Sequence, residues 1–213
     1  NNLMNEGIPA DRIIKVGSPM YEVLNKNMDK IKSSKILKNL KLKKDEYFLI
    51  SCHREENIDV NVNFNKLIDS LNKISEVFKI PVIFPIHPRT KKIFKKNKPN
   101  LNKLIRLIDP LGFLDYNQLQ MNSFVVLSDS GTISEESSIL KFRALNIRET
   151  HESHEAMEES AVIMTGLDVN RILQGIQCLT DLENNNEIGL VQVADYKIPN
   201  VSIKIERIIL SYI

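Results

Sequence analysis

The sequence predicts a doubly wound parallel α/β sheet, Rossmann-like in architecture. Short runs rich in β-branched residues recur along the chain, and each is followed by a stretch with helical spacing. These runs are continuously apolar instead of alternating, which is typical of strands covered by helices on both faces. The predicted strands are residues 13–16, 48–52, 82–84, 105–108, 124–127, 144–147 and 161–165.

Two segments show the helical pattern most clearly. Apolar residues recur at helical spacing from Phe64 to Phe78, which places one apolar stripe on one face. A second stripe runs from Val169 to Ile176, and Asp168 precedes it as a candidate N-cap. Helices that alternate with strands imply right-handed crossovers, so we expect the strands to lie parallel.

Composition describes an ordinary globular protein and excludes several classes of function. The 213 residues are 42% hydrophobic and 26% charged, a balance that supports a full core. A net charge of +2 and the absence of Trp argue against a nucleic-acid partner. No apolar run approaches the roughly 18 residues that span a bilayer, and we recognise no signal peptide. We therefore expect a cytoplasmic protein without a membrane partner.

The two cysteines and the start of the chain add two further expectations. Cys52 and Cys178 lie far apart without a CxxC neighbour, so both are expected to be buried and reduced. The chain begins at Asn1 with a helix-like piece that no strand precedes, which is typical of a fragment of a longer enzyme. We expect such a fragment to be inactive alone.

Polar residues concentrate where the predicted strands end. In doubly wound folds, ligands bind in the crevice at the carboxyl ends of the strands. Apolar strands followed by polar loops therefore predict a binding site along one edge of the sheet. The loops concerned are residues 17–19, 53–57, 87–89, 109–112, 129–132 and 148–152.

The segment 128–136, with the sequence SDSGTISEE, is the strongest candidate for this site. Ser130 and Gly131 form a predicted tight turn in which the backbone approaches a ligand closely. Thr132 then begins a helix, whose free N–H groups and dipole attract phosphate. The alternative interpretation is a capped helix start without a ligand.

The two glutamates of this segment are predicted to have different roles. Glu135 lies three residues after Thr132, the spacing of a capping box. Glu136 lies about 100° further round the helix, so capping does not account for it. A carboxylate one turn from a phosphate cradle suits the two hydroxyls of a ribose.

Single residues after other strands are candidates with ordinary alternatives. His53 and Arg54 follow a strand and are suited to phosphate binding or proton transfer, although such a histidine also satisfies loop carbonyls. His87 repeats this pattern one strand later. Arg148 opens a charge-dense loop that suggests sugar or phosphate contacts, unless it is a surface turn. Tyr116 is placed to stack on a nucleobase, or else belongs to the core.

Several other chemistries have no support in the sequence. The lysines between residues 91 and 98 are interpreted as a solvated helix face. No spacing supports a structural zinc site, so we predict no metal ligands. The chain contains no Walker loop, no GxGxxG motif and no GxSxG elbow.

Four ordered motifs resemble the UDP-N-acetylglucosamine 2-epimerase family. They are CHREEN at 52–57, PIHP at 85–88, LSDSGTISEE at 127–136 and LNIRETHE at 145–152, and the resemblance covers nearly the whole chain. Thr132, the run 146–152 and the closing helix that starts near Asn200 are most similar to the branch that forms UDP-N-acetyl-L-fucosamine.

The resemblance implies the C-terminal domain of a GT-B-type two-domain fold. Residues 1–199 would form the UDP-binding domain, and residues 200–213 a helix that packs toward an N-terminal domain lying outside this chain. The family removes the C2 proton of a UDP-N-acetylhexosamine and eliminates UDP, which re-adds with C2 inverted, in the synthesis of cell-envelope polysaccharide precursors. No cofactor is implied. Implied partners are the UDP-sugar, the N-terminal domain and, in the intact enzyme, a second copy.

The family's site residues carry over onto matching positions. His53 matches the mechanistically important histidine, and Glu136 matches the carboxylate that binds ribose. Tyr116 falls where the family has an aromatic residue near uracil. The complete set of implied substrate-binding residues is Arg54, His87, Tyr116, Ser130, Gly131, Thr132, Glu136 and Arg148.

Two other functions remain open. A GT-B glycosyltransferase domain that uses a UDP-sugar donor would have a similar UDP site, but His53 beside the tight loop at 130–132 favours an epimerase. A non-catalytic UDP-sugar-binding module is the other alternative, because the apolar last helix suits partner docking.

Overall fold

A computed structural model describes residues 2–150, 154–184 and 193–212. Within these residues six strands form one parallel sheet in the order β3-β2-β1-β4-β5-β6. The strand order reverses between β1 and β4, which makes the carboxyl ends of these two strands the topological switch point. The predicted doubly wound fold is confirmed. The strands are β1 (Phe48–Ser51), β2 (Val82–Pro85), β3 (Ile105–Ile108), β4 (Val125–Ser128), β5 (Ala144–Asn146) and β6 (Ile163–Met164).

Helices cover both faces of this sheet, and the two clearest helical predictions are confirmed. The apolar stripe from Phe64 lies in α5, and Asp168 caps α10 by accepting a hydrogen bond from the Arg171 N–H at 2.9 Å. The helices are α1 (Asn2–Asn5), α2 (Met20–Lys32), α3 (Ile36–Leu40), α4 (Glu55–Ile58), α5 (Asn61–Phe78), α6 (Pro88–Asn97), α7 (Phe113–Asn122), α8 (Ile133–Leu140), α9 (His154–Glu158), α10 (Val169–Asn184) and α11 (Val201–Ser211).

The core is divided between the two faces, as β1 shows. Phe48 and Ile50 pack with α5 and α10 on one face, whereas Leu49 packs with α2, α3 and α7 on the other. All three side chains are fully buried. A strand that buries both faces has no polar position, which explains why the strand runs are continuously apolar.

Two predictions about individual segments are wrong. Residues 13–16 form no strand in the described part of the chain, and Ile14 is 49% exposed. Their β-branched side chains suit an extended backbone, but a strand also requires a partner. Cys52 is buried as expected, whereas Cys178 is exposed because its neighbours Ile176 and Leu179 take the inward positions of α10.

Helix α10 approaches the sheet closely at a glycine. A Cβ atom on Gly175 would lie 2.9 Å from Leu145 Cδ2 and 3.2 Å from Thr165 Cγ2. Both neighbours are buried, so they have little room to yield. The helix therefore needs glycine at this position to reach β5.

Gly175→Ala is accordingly expected to destabilise the fold by about 1–2 kcal/mol, because overpacking outweighs the better helix propensity of alanine. Chemical denaturation measures this change. Gly112→Ala is the matched control, since nothing lies within 4 Å of its Cβ position and its φ of −71° suits alanine. Equal stability of Gly175→Ala and wild type would contradict the close approach.

The last helix, α11, contacts the rest of the chain mainly through its first turn. Val201 is fully buried, and the Ser202 N–H donates to Glu22 Oε1 at 3.1 Å. Further along, Ile205 and Ile209 are exposed. None of the helices in the described residues is both long enough and apolar enough for a transmembrane span.

Candidate functional site

The carboxyl ends of β1, β2 and β3 meet in a cleft of about 480 Å³, within the range of small-molecule sites. His53 enters this cleft from the end of β1 and His87 from the end of β2. Tyr116 reaches it from α7, and Pro110 and Leu111 close it beyond β3. The structure thus brings together three residues that the sequence singles out, from segments far apart along the chain.

Asp129, directly after β4, organises the wall between this cleft and the 130–132 loop. Its carboxylate is fully buried and accepts hydrogen bonds from the backbone N–H groups of His53 at 3.1 Å and Arg54 at 3.0 Å. The Asn57 side-chain amide also donates to it at 3.1 Å, and the Cys52 thiol at 3.3 Å. One carboxylate therefore fixes the turn that leaves β1.

Sequence reasoning included Asp129 in the candidate segment but assigned it no role of its own. An aspartate directly after an apolar strand was the available signal. Its role depends on the adjacency of β1 and β4, which the tertiary fold decides.

His53 lies on this carboxylate with part of its ring facing solvent. Its Nδ1 is 3.2 Å from Asp129 Oδ1, and the side chain is 59% exposed. A carboxylate beside Nδ1 favours the tautomer with the proton on that nitrogen. Nε2 is then left as the nitrogen that accepts or returns a proton, which suits acid–base chemistry.

The 130–132 loop joins β4 to α8 and is held by its own hydroxyls. The Ser130 N–H donates to Ser128 Oγ at 3.0 Å, and the Ser130 and Thr132 hydroxyls lie 3.0 Å apart. The helix begins at Ile133, so its first N–H groups face the same loop. This arrangement is suited to an anion.

The predicted capping box is wrong, and the two glutamates differ in another way. The Thr132 side chain caps no N–H; its hydroxyl instead donates to Glu136 Oε1 at 2.8 Å. Thr132 and Glu136 are four residues apart, so one lies above the other on the helix. Glu135 is half-buried and lines a separate cavity of about 200 Å³ with Lys15 and Gly17.

Glu136 is held on both carboxylate oxygens. Gln120 Nε2 donates to Oε2 at 2.5 Å, opposite the Thr132 hydroxyl on Oε1. Burial raises the pKa of Glu136, and the hydrogen bonds from Gln120 and Thr132 partly oppose this shift. The carboxylate is therefore both oriented and partly desolvated.

Tyr116 is half-buried in α7 at the edge of the cleft. Burial raises the pKa of its phenol, and hydrogen bonding with Ser51 and Gln120 partly opposes this rise. The ring is therefore neither a free surface aromatic nor a wholly enclosed core residue. That position suits a side chain that contacts a planar ligand.

Two arginines have partners that the sequence does not reveal. Arg54 donates through Nε to the Asp129 carbonyl at 2.9 Å, which ties it to the wall of the site. Arg148 itself is buried directly after β5, whereas Glu149 and Thr150, which follow it in the loop, are exposed. Within the described residues Arg148 does not line the cleft of His53 and His87. The rest of its loop, residues 151–153, lies outside the described residues.

His87 and the following residues begin α6. His87 Nδ1 accepts a hydrogen bond from the Arg89 N–H at 3.4 Å, and the Arg89 side chain pairs with Glu55 and Asp59. The lysine-rich face that follows is exposed, as predicted. Among the described residues no group of three or more His, Cys, Asp or Glu side chains is arranged for a metal ion.

Fold and site together describe a doubly wound α/β domain with a candidate nucleotide site at its switch point. A model of the UDP-N-acetylglucosamine 2-epimerase family matches residues 1–210, and the chain belongs to this family.

Curated relatives agree with this assignment. A UDP-N-acetylglucosamine 2-epimerase of Methanocaldococcus jannaschii is 31% identical over 192 residues, which cover 87% of this chain and 52% of the relative. The enzyme of the same description from Methanococcus maripaludis is 35% identical over 185 residues, covering 83% of this chain and 50% of its own. The chain thus spans about half the length of these relatives.

Solved structures of the family share the fold. The UDP-N-acetylglucosamine 2-epimerase of Rickettsia bellii is 43% identical with a TM-score of 0.86, over 99% of this chain and 56% of that one. The Methanocaldococcus jannaschii enzyme, solved in complex with UDP-GlcNAc and UDP, is 28% identical with a TM-score of 0.85, over 99% and 58% of the two chains.

Proposed function

We propose that this chain is the UDP-binding part of a UDP-N-acetylhexosamine 2-epimerase, corresponding to the C-terminal domain. The observation that carries the proposal is Asp129, which holds the backbone of His53 and Arg54 and immediately precedes the anion-binding loop. A proton-transfer residue is thereby fixed beside the place where a diphosphate would leave. A family member solved with UDP-GlcNAc and UDP supports a ligand of this class.

In this proposal each part of a UDP-sugar has its own contacts. The loop Ser130, Gly131 and Thr132 holds the diphosphate, with Arg54 and Arg148 adding positive charge on either side of β4. Glu136 accepts the ribose hydroxyls, and Tyr116 stacks near uracil. His87 borders the sugar end of the cleft.

The proposed reaction inverts C2 without a redox cofactor or metal. The C2–H bond breaks as a base takes the proton, and the C1–O bond breaks as UDP leaves with its electron pair, so that a C1=C2 double bond forms. UDP then re-adds to C1 while C2 receives a proton on the opposite face. His53 exchanges a proton through Nε2 or stabilises the leaving diphosphate. The acids that act on C2 belong to the N-terminal domain, so we expect no turnover from this chain alone.

Helix α11 is proposed as the contact with that N-terminal domain. Ile205, Ile208 and Ile209 line an apolar groove of about 640 Å³ together with Ile14 and Val16. Exposed apolar area of this kind is favourably buried by a partner surface. In this proposal residues 200–213 cross toward the N-terminal domain, while residues 1–199 form the UDP-binding domain.

The finer substrate assignment is a 6-deoxy sugar nucleotide of the UDP-N-acetyl-L-fucosamine branch, made for cell-envelope polysaccharide. Thr132, in the diphosphate loop, supports it, because this threonine is one of the features that resemble that branch. We further propose that the complete enzyme is a cytoplasmic homodimer.

A UDP titration in which thermal unfolding is the readout tests the nucleotide site. UDP is expected to raise the melting temperature. Glu136→Ala is expected to lower the affinity for UDP by about 10- to 100-fold, because it removes hydrogen bonds to a charged group. Glu135→Ala is the matched control and should leave UDP affinity nearly unchanged. Absence of any shift at millimolar UDP would remove the nucleotide assignment.

The same titration has a pH dependence whose sign follows from Glu136. Two ribose hydroxyls require an ionised acceptor, so UDP affinity should fall as the pH falls through the pKa of Glu136, which burial raises from its ordinary value. Without UDP the trend is opposite, because the folded chain holds this proton more tightly than the unfolded chain. The contribution of Glu136 to stability then decreases as the pH rises from the unfolded-state pKa to the folded-state pKa.

A further inference from the structure

Gln120 in α7 is fully buried and contacts the candidate ribose carboxylate. Its amide donates to Glu136 Oε2 at 2.5 Å. Only the NH₂ end of the amide can donate to a carboxylate, so this contact sets the orientation of the amide group. The Gln120 side chain therefore holds the carboxylate that the proposed site offers to a ribose.

The other end of the Gln120 amide indicates that packing does not account for this residue. Its Oε1 is buried and has no hydrogen-bond partner among the described residues. An unpaired buried acceptor destabilises a fold, whereas an apolar side chain of similar length would fill the same space without that cost. The glutamine is therefore explained by what its NH₂ group holds.

The consequence is a carboxylate fixed in one orientation. Gln120 holds Oε2 of Glu136, and the Thr132 hydroxyl holds Oε1 at 2.8 Å. Each carboxylate oxygen accepts about two hydrogen bonds, so each keeps capacity for one more donor. Two acceptors at a fixed separation match the 2′- and 3′-hydroxyls of a ribose, and a freely rotating carboxylate would not discriminate between one hydroxyl and two.

We propose that Gln120 is a positioning residue that makes this site selective for ribonucleotides over 2′-deoxyribonucleotides, acting through Glu136 and not by touching the ligand. The inference rests on the proposed UDP site. It goes further by assigning sugar selectivity to a residue outside the phosphate loop and outside the family motifs quoted above.

Gln120→Met tests the proposal, because methionine keeps the length of the side chain and removes the donor. UDP and 2′-deoxy-UDP are titrated by calorimetry against wild type and variant across acid to neutral pH. Wild type is expected to bind UDP about tenfold more tightly than 2′-deoxy-UDP, as one hydrogen bond to a charged group allows. In Gln120→Met that ratio should fall toward one, and the acid loss of UDP binding should move to higher pH.

Two further variants separate positioning from packing. Gln118→Leu, on the same helix, is the matched control and should keep the wild-type ratio. Gln120→Glu keeps the side-chain shape and is expected to lose UDP selectivity at alkaline pH, where a second carboxylate faces Glu136. It also replaces Gln120→Met if that variant does not fold.

These titrations distinguish failure of the Gln120 inference from failure of the proposed UDP site. If wild type binds neither nucleotide, the proposed function fails. The opposing result is that wild type prefers UDP while both Gln120 variants weaken the binding of UDP and 2′-deoxy-UDP equally and lose UDP binding at the same acid pH as wild type. In that case Gln120 serves only packing, and this inference is overturned.

Discussion

Asp129→Asn is expected to lower the free energy of unfolding by about 3–5 kcal/mol, the cost of breaking a buried charged network. Asp129 accepts from the His53 and Arg54 N–H groups, and the Asn57 amide also donates to it. Asparagine has a single acceptor oxygen, and its NH₂ group would face at least one of these donors. Asparagine has almost the same shape as aspartate, so the loss of unfolding free energy measures hydrogen bonding and not packing.

Urea denaturation measures the effect, and Asp109→Asn provides the matched control. Asp109 follows β3 as Asp129 follows β4, but its side chain is 81% exposed and pairs with Lys91 at 2.9 Å. Exposed pairs of this kind contribute at most about 1 kcal/mol. Similar losses for both aspartates would show that Asp129 does not organise the site.

His53→Gln is expected to have the largest effect on chemistry, a loss of about 10²–10⁴ in the rate of C2–H exchange. Glutamine can still hydrogen-bond to Asp129, but it neither transfers a proton at neutral pH nor carries positive charge, so it assists the departing diphosphate less. C2–H exchange slows with it, because in the proposed reaction the C2 proton is lost as UDP leaves. The measurement follows solvent deuterium entering C2 of the UDP-sugar, using the chain combined with an N-terminal epimerase domain. UDP affinity should change only a few-fold, because His53 lies beside the diphosphate loop and not in it.

His87→Gln is the comparison variant for this experiment. His87 lines the same cleft but caps α6, and in the part of the chain that the structure describes no carboxylate pairs with its ring. We expect it to raise the KM for the UDP-sugar with little change in exchange at saturation. Wild-type exchange in His53→Gln would instead show that His53 takes no part in the reaction. UDP binding without exchange in wild type would favour a glycosyltransferase or a non-catalytic module.

Local residue patterns predicted most elements because their causes are local. Continuous apolar runs identify β1 and β4, since strands covered on both faces have no polar position. The spacing from Phe64 onward identifies α5, and Asp168 marks the start of α10. The same logic failed for residues 13–16, whose side chains suit a strand but which have no neighbour in the sheet.

Pairing across the sheet is where local patterns stop being informative. Cys52 and Asp129 are 77 residues apart, and their contact exists only because β1 and β4 are neighbours. Likewise, Thr132 has the sequence spacing of a capping box with Glu135, but its hydroxyl donates to Glu136, whose other carboxylate oxygen accepts from Gln120 of α7.

The sequence by itself determined that this is a doubly wound α/β chain of the UDP-N-acetylglucosamine 2-epimerase family, with its polar residues at the strand ends. Periodicity, turn chemistry and ordered motifs depend on residues that are close in sequence, so they can be recognised before any tertiary contact is known. Only the tertiary structure decided that Asp129 holds His53, that Gln120 holds Glu136 and that Arg148 is buried. Each of these depends on which side chains are desolvated together, and that follows from strand order and helix packing.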